Sequence, residues 1–173
     1  VNADAVIILP NNSNIIMAAQ SAAGLSEVPC AVVPTKSVPQ AFSAMFSIDE
    51  TASLEENVES MTSAFADTKT GEVTTAIKDS KDAHDNPIHN GDVIGIADGS
   101  IEAVGTSVED VVMSLLDTME AEDADTLTLL AGEDFSDERM SALVERIEER
   151  FDELEVDAQR GEQPLYPIVF SVE

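Results

Sequence analysis

The spacing of apolar residues changes repeatedly between strand and helix patterns over residues 1–66. The runs AVIIL (5–9) and CAVV (30–33) are short, rich in β-branched residues and flanked by proline, which is typical of buried strands. A helical pattern follows each run. The first has Ile15, Ile16, Ala19, Ala22 and Ala23 on one face, and the second has an apolar stripe of Phe42, Met45 and Phe46. This order predicts parallel strands in a βαβα arrangement.

Capping signals place the ends of these helices. Gly24 is suited to end the first helix, and Ser37 with Gln40 has the spacing of a capping box at the start of the second. Ser53 with Glu56 forms a similar box for a third helix over about 53–66. Cys30 lies in the second strand, where we expect it to be a buried small apolar residue.

After residue 66 the pattern becomes mixed. GEVTTAIKD (71–79) alternates as a strand does, and DVIGIADGSIEAVG (92–105) predicts a hairpin around Asp98-Gly99. Thr106 and Glu109 are expected to cap the next helix. The remaining elements are a strand over 126–132, a helix from Ser136, and strands near 154–159 and within 164–173.

The fold class is therefore α/β, with a parallel βαβα first part followed by a mixed α/β second part. We expect two lobes, a parallel α/β lobe at 1–66 and a mixed α/β lobe at 67–173. One continuous domain fits the same pattern.

Charge narrows the classes of partner. Acidic residues outnumber basic ones 35 to 8, and the formal net charge is −27. Such a chain repels nucleic acid and anionic membrane surfaces. We interpret the excess as a solvated acidic surface, with a docking face for a basic partner as the alternative. With one cysteine, no apolar run of membrane-spanning length and no signal-like start, we expect a cytoplasmic protein without membrane insertion.

The stretch PNNSN (10–14) is the first candidate site. It lies where a strand passes into a helix, the place where open α/β sheets bind ligands. Asn11, Asn12 and Asn14 could hold a carboxylate, a phosphate or a partner's backbone. The alternative is an ordinary helix cap in which one asparagine tolerates a left-handed turn.

The second candidate, PTKSVPQ (34–40), lies at the equivalent end of the second strand. If the two strands are neighbours, Thr35 and Lys36 would complete a polar crevice with the asparagines. Lys36 is also a positive charge in a very acidic chain. A capped helix start with a solvated lysine is the alternative.

The third candidate is RGEQPLYP (160–167), which contains Gln163 and the only tyrosine, Tyr166. Tyrosine combines an apolar ring with a hydroxyl group, as interface anchors do. The alternative is an edge strand entered through a proline turn, with Tyr166 packed on the core.

The acidic and histidine residues of the polar loop at 80–91 and its borders match no zinc or calcium spacing, so we expect a solvated loop and no metal. The sequence also lacks the motifs of a phosphate-binding glycine loop and of a nucleophile elbow, and it gives no sign of a catalytic cysteine–histidine pair. We therefore predict no catalytic residues.

Six segments in this order resemble one known family: PNNSNI, VPTKSVPQ, LEENVESM, KTGEVTTAIKDS, the GD…GI.DG hairpin and GEQPLYP…SVE. The chain resembles, over essentially its whole length, the C-terminal domain of the bacterial fatty acid kinase A subunit, a YloV-type, dihydroxyacetone kinase-like protein. The resemblance departs from the family pattern at Gly161-Glu162 and at Ile168.

The resemblance implies a division of labour. In such proteins a separate kinase domain binds ATP and magnesium, and the C-terminal domain has a DegV-like fold and needs no cofactor of its own. It is expected to dock a DegV-like fatty-acid-binding subunit for acyl phosphate formation, and the parent protein could be a homodimer. The alternative is a domain that binds a small ligand, either a carboxylate, a phosphate or a fatty acid. Neither implies catalysis by this chain alone.

Overall fold

A computed structural model describes residues 3–82 and 84–173 of the chain. Strands β1 (Val6–Ile8) and β2 (Cys30–Val32) pair in parallel, with Val6 opposite Cys30. This pairing confirms the parallel first part of the predicted fold. The chain divides into two compact units, Val1–Thr68 and Lys69–Glu173, whereas the sequence pattern predicts a boundary after residue 66.

Three helices complete the first unit: α1 (Ile16–Gly24), α2 (Val38–Phe46) and α3 (Leu54–Ala64). The core of this unit is small. Val33, Ala44 and Met61 are its buried apolar residues, and Ile7, Leu9, Val58 and Phe65 pack against them. Cys30 was expected to be buried, but its side chain is only half-buried.

The predicted caps of this unit are partly confirmed. Ser53 and Glu56 form a reciprocal capping box at the start of α3. Ser37 caps α2 by accepting a hydrogen bond from the Gln40 backbone N–H, but the Gln40 side chain accepts from the N–H of Lys36, so the box is not reciprocal.

One expectation about α2 was wrong. Its stripe of large apolar residues does not form the core: Phe42, Met45 and Phe46 are exposed, while the smaller Ala41 and Ala44 are buried. The predicted helical period is confirmed, but the inward face is the one with small side chains. The space left by a thin core accommodates a methyl group more easily than a phenyl ring.

The second unit is built on a six-stranded sheet in the order β7-β6-β3-β10-β8-β9. The strands are β3 (Lys69–Thr75), β6 (Val93–Ala97), β7 (Ser100–Gly105), β8 (Thr126–Ala131), β9 (Glu155–Arg160) and β10 (Ile168–Val172). The β8–β9 pair is parallel and the other described pairs of this sheet are antiparallel, so the predicted mixed second part is confirmed. A small pair, β4 (Ser80–Lys81) and β5 (Pro87–Ile88), lies within the segment expected to be a loop.

Helices α4 (Val108–Thr118) and α5 (Asp137–Arg150) share one large core with the sheet. The cap of α4 is Ser107, which accepts from the Asp110 backbone N–H, so the prediction of Thr106 was wrong by one residue. Ser136 caps α5 as predicted. None of the helices in the described part of the chain is long and apolar enough to cross a membrane.

The turn at Asp98-Gly99 joins β6 to β7 as the sequence predicts. Both residues have positive φ angles, 47° for Asp98 and 92° for Gly99. Two successive left-handed residues give a turn whose twist matches that of the flanking strands, which is why this dipeptide is a strong hairpin signal.

Candidate functional site

Two hydrogen bonds join the turn after β1 to the turn after β2. The backbone N–H of Asn11 donates to the hydroxyl of Thr35 over 3.2 Å, and that hydroxyl donates to the side-chain oxygen of Asn11 over 2.8 Å. Thr35 is fully buried, so these bonds satisfy a hydroxyl that water does not reach. Asn11 has a left-handed backbone, with a φ of 56°, which asparagine tolerates. The two residues thus hold the turns together.

Asn12 is a helix cap. It has an extended backbone, and its side-chain oxygen accepts a hydrogen bond of 2.9 Å from the backbone N–H of Asn14. The helix that it caps is a short 3-10 turn, Ser13–Ile15, which leads into α1. The structural alternative for PNNSN therefore describes both residues, since Asn12 is the cap and Asn11 has the left-handed backbone. Asn11 in addition joins the two turns.

Asn14 and Lys36 have exposed side chains that bond to no described residue. The position of Lys36 is unusual because six of the protein's eight basic residues form ion pairs within the chain. Among the described residues, Lys36 and Lys78 are the basic residues left without a carboxylate partner. The turns after β1 and β2 therefore present a free amide and a free cation on a fixed support.

The third candidate segment, 160–167, is held by hydrogen bonds from side chains of the second unit. The amide nitrogen of Gln163 donates to the carbonyl oxygens of Leu130 and Tyr166, over 2.9 and 3.1 Å. The hydroxyl of Thr74 donates to the carbonyl of Leu165 over 2.7 Å. Gln163 therefore has an internal structural task. Glu162 and Leu165 both have left-handed backbones, an arrangement that persists only where the surroundings enforce it.

This segment forms one wall of a groove of about 700 Å³ in the second unit. The lining is mainly apolar and includes Ile77, Ile94, Ile101, Leu165, Tyr166 and Pro167. Leu165 is 80% exposed and Ile77 is 86% exposed. Lys78 also lines the groove. The groove therefore combines a mainly apolar lining with the charged side chains of Lys78, Arg139 and Asp134.

Burial and the charge of Glu72 both act on the pKa of Tyr166. Burial raises the pKa of the Glu72 carboxyl, which lies on β3 between its strand neighbours Ile96 and Val169. Burial also raises the pKa of the Tyr166 hydroxyl, and the negative charge of Glu72 raises it further. Both groups therefore favour their neutral forms more than exposed residues would.

The polar loop at 80–91 is organised by Asp82. Its carboxylate accepts hydrogen bonds from the backbone N–H groups of His84 and Asn86 and from the Asn86 side chain, each over 2.8 Å. The Asn86 side chain is the main cause of a lowered Asp82 pKa. No group of three or more possible metal ligands occurs among residues 3–82 and 84–173.

The structure thus brings Asn11 and Thr35 into contact and places Gln163 and Tyr166 together in the other unit. The sequence did not reveal the groove beside Tyr166 or the outward-facing apolar side of α2. Lys78 belongs to the segment KTGEVTTAIKDS, but the sequence does not show that it forms no ion pair with a described carboxylate.

Comparison with known proteins gives one family over the whole chain. The FakA-like C-terminal family, described as the C-terminal region of A-like subunits of fatty acid kinase, matches residues 1–173. Protein YloV of Bacillus subtilis is 40% identical over 174 residues, covering 100% of this chain and 31% of YloV. The chain therefore spans less than a third of the length of that relative.

Solved structures of similar fold belong to DegV-like proteins. A DegV family protein of Corynebacterium glutamicum has a TM-score of 0.64 at 15% identity, over 98% of this chain and 74% of that one. A Thermotoga maritima protein described as having a fatty acid binding function has a TM-score of 0.61 at 12% identity, over 99% and 70%. The predicted DegV-like fold is confirmed by these similarities.

Proposed function

Because the chain belongs to the FakA-like C-terminal family, we propose that it is the non-catalytic C-terminal part of an ATP-dependent fatty acid kinase. In this proposal it docks a DegV-like fatty-acid-binding subunit, so that the acyl carboxylate can be phosphorylated elsewhere in the assembly. ATP and magnesium then bind in a separate kinase domain, and this chain needs no cofactor.

The observation that carries this proposal is the joined pair of turns in the first unit. The Asn11–Thr35 hydrogen bonds fix the turns before any partner arrives. Asn14 and Lys36 stay exposed on that fixed support. Binding through a surface that is already ordered avoids part of the entropy cost of association, so such a surface suits protein recognition.

The test is a calorimetric titration of the purified chain with the DegV-like protein from the same genome. Replacing Asn14 by alanine and Lys36 by glutamate should together weaken binding by about tenfold or more, since each variant removes a free polar group from the contact. Neither side chain bonds to a described residue, so the melting temperature of the variants should equal that of the unaltered chain.

Lys78→Glu is the matched control, because it makes the same charge change at the other unpaired lysine. If Lys36→Glu and Lys78→Glu weaken binding equally, the effect belongs to overall charge and a contact at Lys36 is excluded. If the unaltered chain does not bind at either low or high salt, docking itself is wrong.

A second candidate function is binding of a fatty acid or a similar apolar carboxylate in the groove beside Tyr166. Its apolar lining and the unpaired Lys78 favour it. Tyr166 is the only tyrosine in a chain without tryptophan, so its fluorescence reports on this groove alone. Adding palmitate should change that fluorescence and give a mass adduct in native mass spectrometry. A chain that shows neither change does not bind this ligand.

A further inference from the structure

Helix α2 has its large apolar side chains on the outside. Val38, Phe42, Met45 and Phe46 are 43%, 41%, 53% and 90% exposed. The residues that α2 buries are the smaller Pro39, Ala41 and Ala44. We call the four exposed residues the α2 apolar face.

These four residues lie on one side of the helix. Their spacing is four, then three, then one residue, which places them in a single stripe along an α-helix. Over its nine residues α2 carries no charge, although 25% of the whole chain is charged. Ile48, which is 53% exposed, follows two residues after the helix ends.

Exposing such an apolar face to water is unfavourable in free energy. Contiguous exposed apolar residues on a soluble protein mark interaction sites, whereas single exposed apolar residues are ordinary. Phenylalanine and methionine are also enriched at the centres of protein interfaces. The core of the first unit does not use the α2 apolar face, because Val33, Ala44 and Met61 form that core.

Charge decides between the possible occupants. A second copy of this chain would bring another formal charge of −27 to the contact, and the two copies would repel each other. A partner with basic residues around an apolar patch would instead be attracted. Acidic residues lie beside the C-terminal end of α2, where Glu56 and Glu59 line a shallow depression together with Ser47.

The opposite end of α2 carries the single local cation. Lys36 lies two residues before the first residue of the helix and has no carboxylate partner among the described residues. A partner of complementary charge therefore has a carboxylate that lies near Lys36 and basic residues that lie near Glu59. The α2 apolar face begins at Val38, two residues after Lys36 in the sequence.

We propose that the α2 apolar face is the docking surface for the fatty-acid-binding subunit, which meets it with an apolar patch rimmed by lysine and arginine. This inference rests on the proposed function and adds the location and chemistry of the contact. Apolar contact supplies most of the affinity, and the charges at the two ends of α2 fix the orientation.

The test uses the double variant Phe42→Gln/Phe46→Gln in the same titration. Binding should weaken by about tenfold or more, because two central apolar contacts are removed. Leu25→Gln is the matched control: Leu25 is 85% exposed, lies in the same unit just after α1, and should have no effect on binding. Circular dichroism and melting temperature establish that each variant is folded.

A reversed charge tests the orientation. Glu59→Lys should weaken binding by several-fold at low salt, and the difference from the unaltered chain should shrink as salt is added. If the double variant binds as tightly as the unaltered chain, the α2 apolar face is not the docking surface, although the proposed function stands.

Two other results would overturn the inference in distinguishable ways. If the unaltered chain does not bind the DegV-like protein, both the docking surface and the proposed function are wrong. If sedimentation shows that the chain is a dimer and that Phe42→Gln/Phe46→Gln dissociates it, a second copy covers the face instead.

Discussion

Glu72 and Tyr166 are acids that the fold keeps partly out of water. The pKa of the Glu72 carboxyl is raised by burial, so the folded chain holds a proton there at a pH where the unfolded chain has lost it. The stability that this group contributes is therefore fully present in acid. It decreases as the pH rises from the ordinary glutamate pKa through the raised value of the folded chain.

We expect Glu72→Gln to lower the pKa of Tyr166, because removing the carboxylate removes the charge that opposes phenolate formation. The variant should also lose less stability than the unaltered chain between acid and neutral pH. Ultraviolet absorbance measures the first effect cleanly, since the chain has one tyrosine and no tryptophan.

Glu145→Gln serves as the control, since Glu145 is exposed on α5 and the charge that raises the pKa of Tyr166 is that of Glu72. An unchanged Tyr166 pKa in Glu72→Gln would show that the two side chains do not interact.

Identical neighbouring residues have different tasks in this protein. Asn11 joins the two turns, Asn12 caps a helix, and the Asn14 side chain bonds to no described residue. The cap was foreseeable because capping depends on residues two or three positions apart. The partner of Asn11 is Thr35, which is 24 positions away, and only the pairing of β1 with β2 brings them together.

The ring of Phe170 on β10 occupies the space that a side chain at Gly71 on β3 would need. Gly71 lies opposite Phe170, which is fully buried. A Cβ atom added at Gly71 would overlap the ring of Phe170. The absence of a side chain on β3 therefore makes room for the largest side chain of β10.

Gly71→Ala should destabilise the chain by about 1–3 kcal/mol, the usual cost of forcing an extra carbon into a packed core. Adding Phe170→Leu should recover part of this loss, because the smaller side chain vacates the ring's space. Urea unfolding of the single and double variants measures both effects.

The control is Gly24→Ala, since no atom lies within 4 Å of the added carbon and the position belongs to a helix. That variant should be neutral or slightly stabilising. If Gly71→Ala unfolds at the same urea concentration as Gly24→Ala, the added carbon does not clash with the ring of Phe170.

Three arginines of α5 form ion pairs with three carboxylates of α4. The pairs are Arg139–Glu109 and Arg146–Asp110, each at 2.8 Å, and Arg150–Asp117 at 3.2 Å. Single exposed pairs of this kind contribute less than about 1 kcal/mol each. With so many basic residues engaged locally, most of the acidic surface has no neutralising partner.

The net charge of −27 therefore acts against the folded state through self-repulsion. Adding sodium chloride should raise the melting temperature, by about 2–4 °C for each kcal/mol of repulsion that the salt screens. Differential scanning calorimetry across a salt series measures this dependence.

A charge-reduced variant provides the control for the salt series. Glu148→Gln, Glu149→Gln and Asp152→Asn together remove three exposed charges that form no ion pair with a described residue. The melting temperature of this variant should depend less on salt. A melting temperature of the unaltered chain that falls as salt is added would mean that the ion pairs outweigh the repulsion.

Local chemistry was enough to predict the α/β class, the order of strands and helices apart from β4 and β5, the cap of α3 and the hairpin at Asp98-Gly99, because each depends on residues close in sequence. The buried side of α2 was not predictable in this way. An apolar stripe shows that a helix has a face that avoids water, but whether the core or a partner covers it depends on residues far away in the chain. The same holds for PNNSN, since the Asn11–Thr35 contact exists only once β1 and β2 have paired.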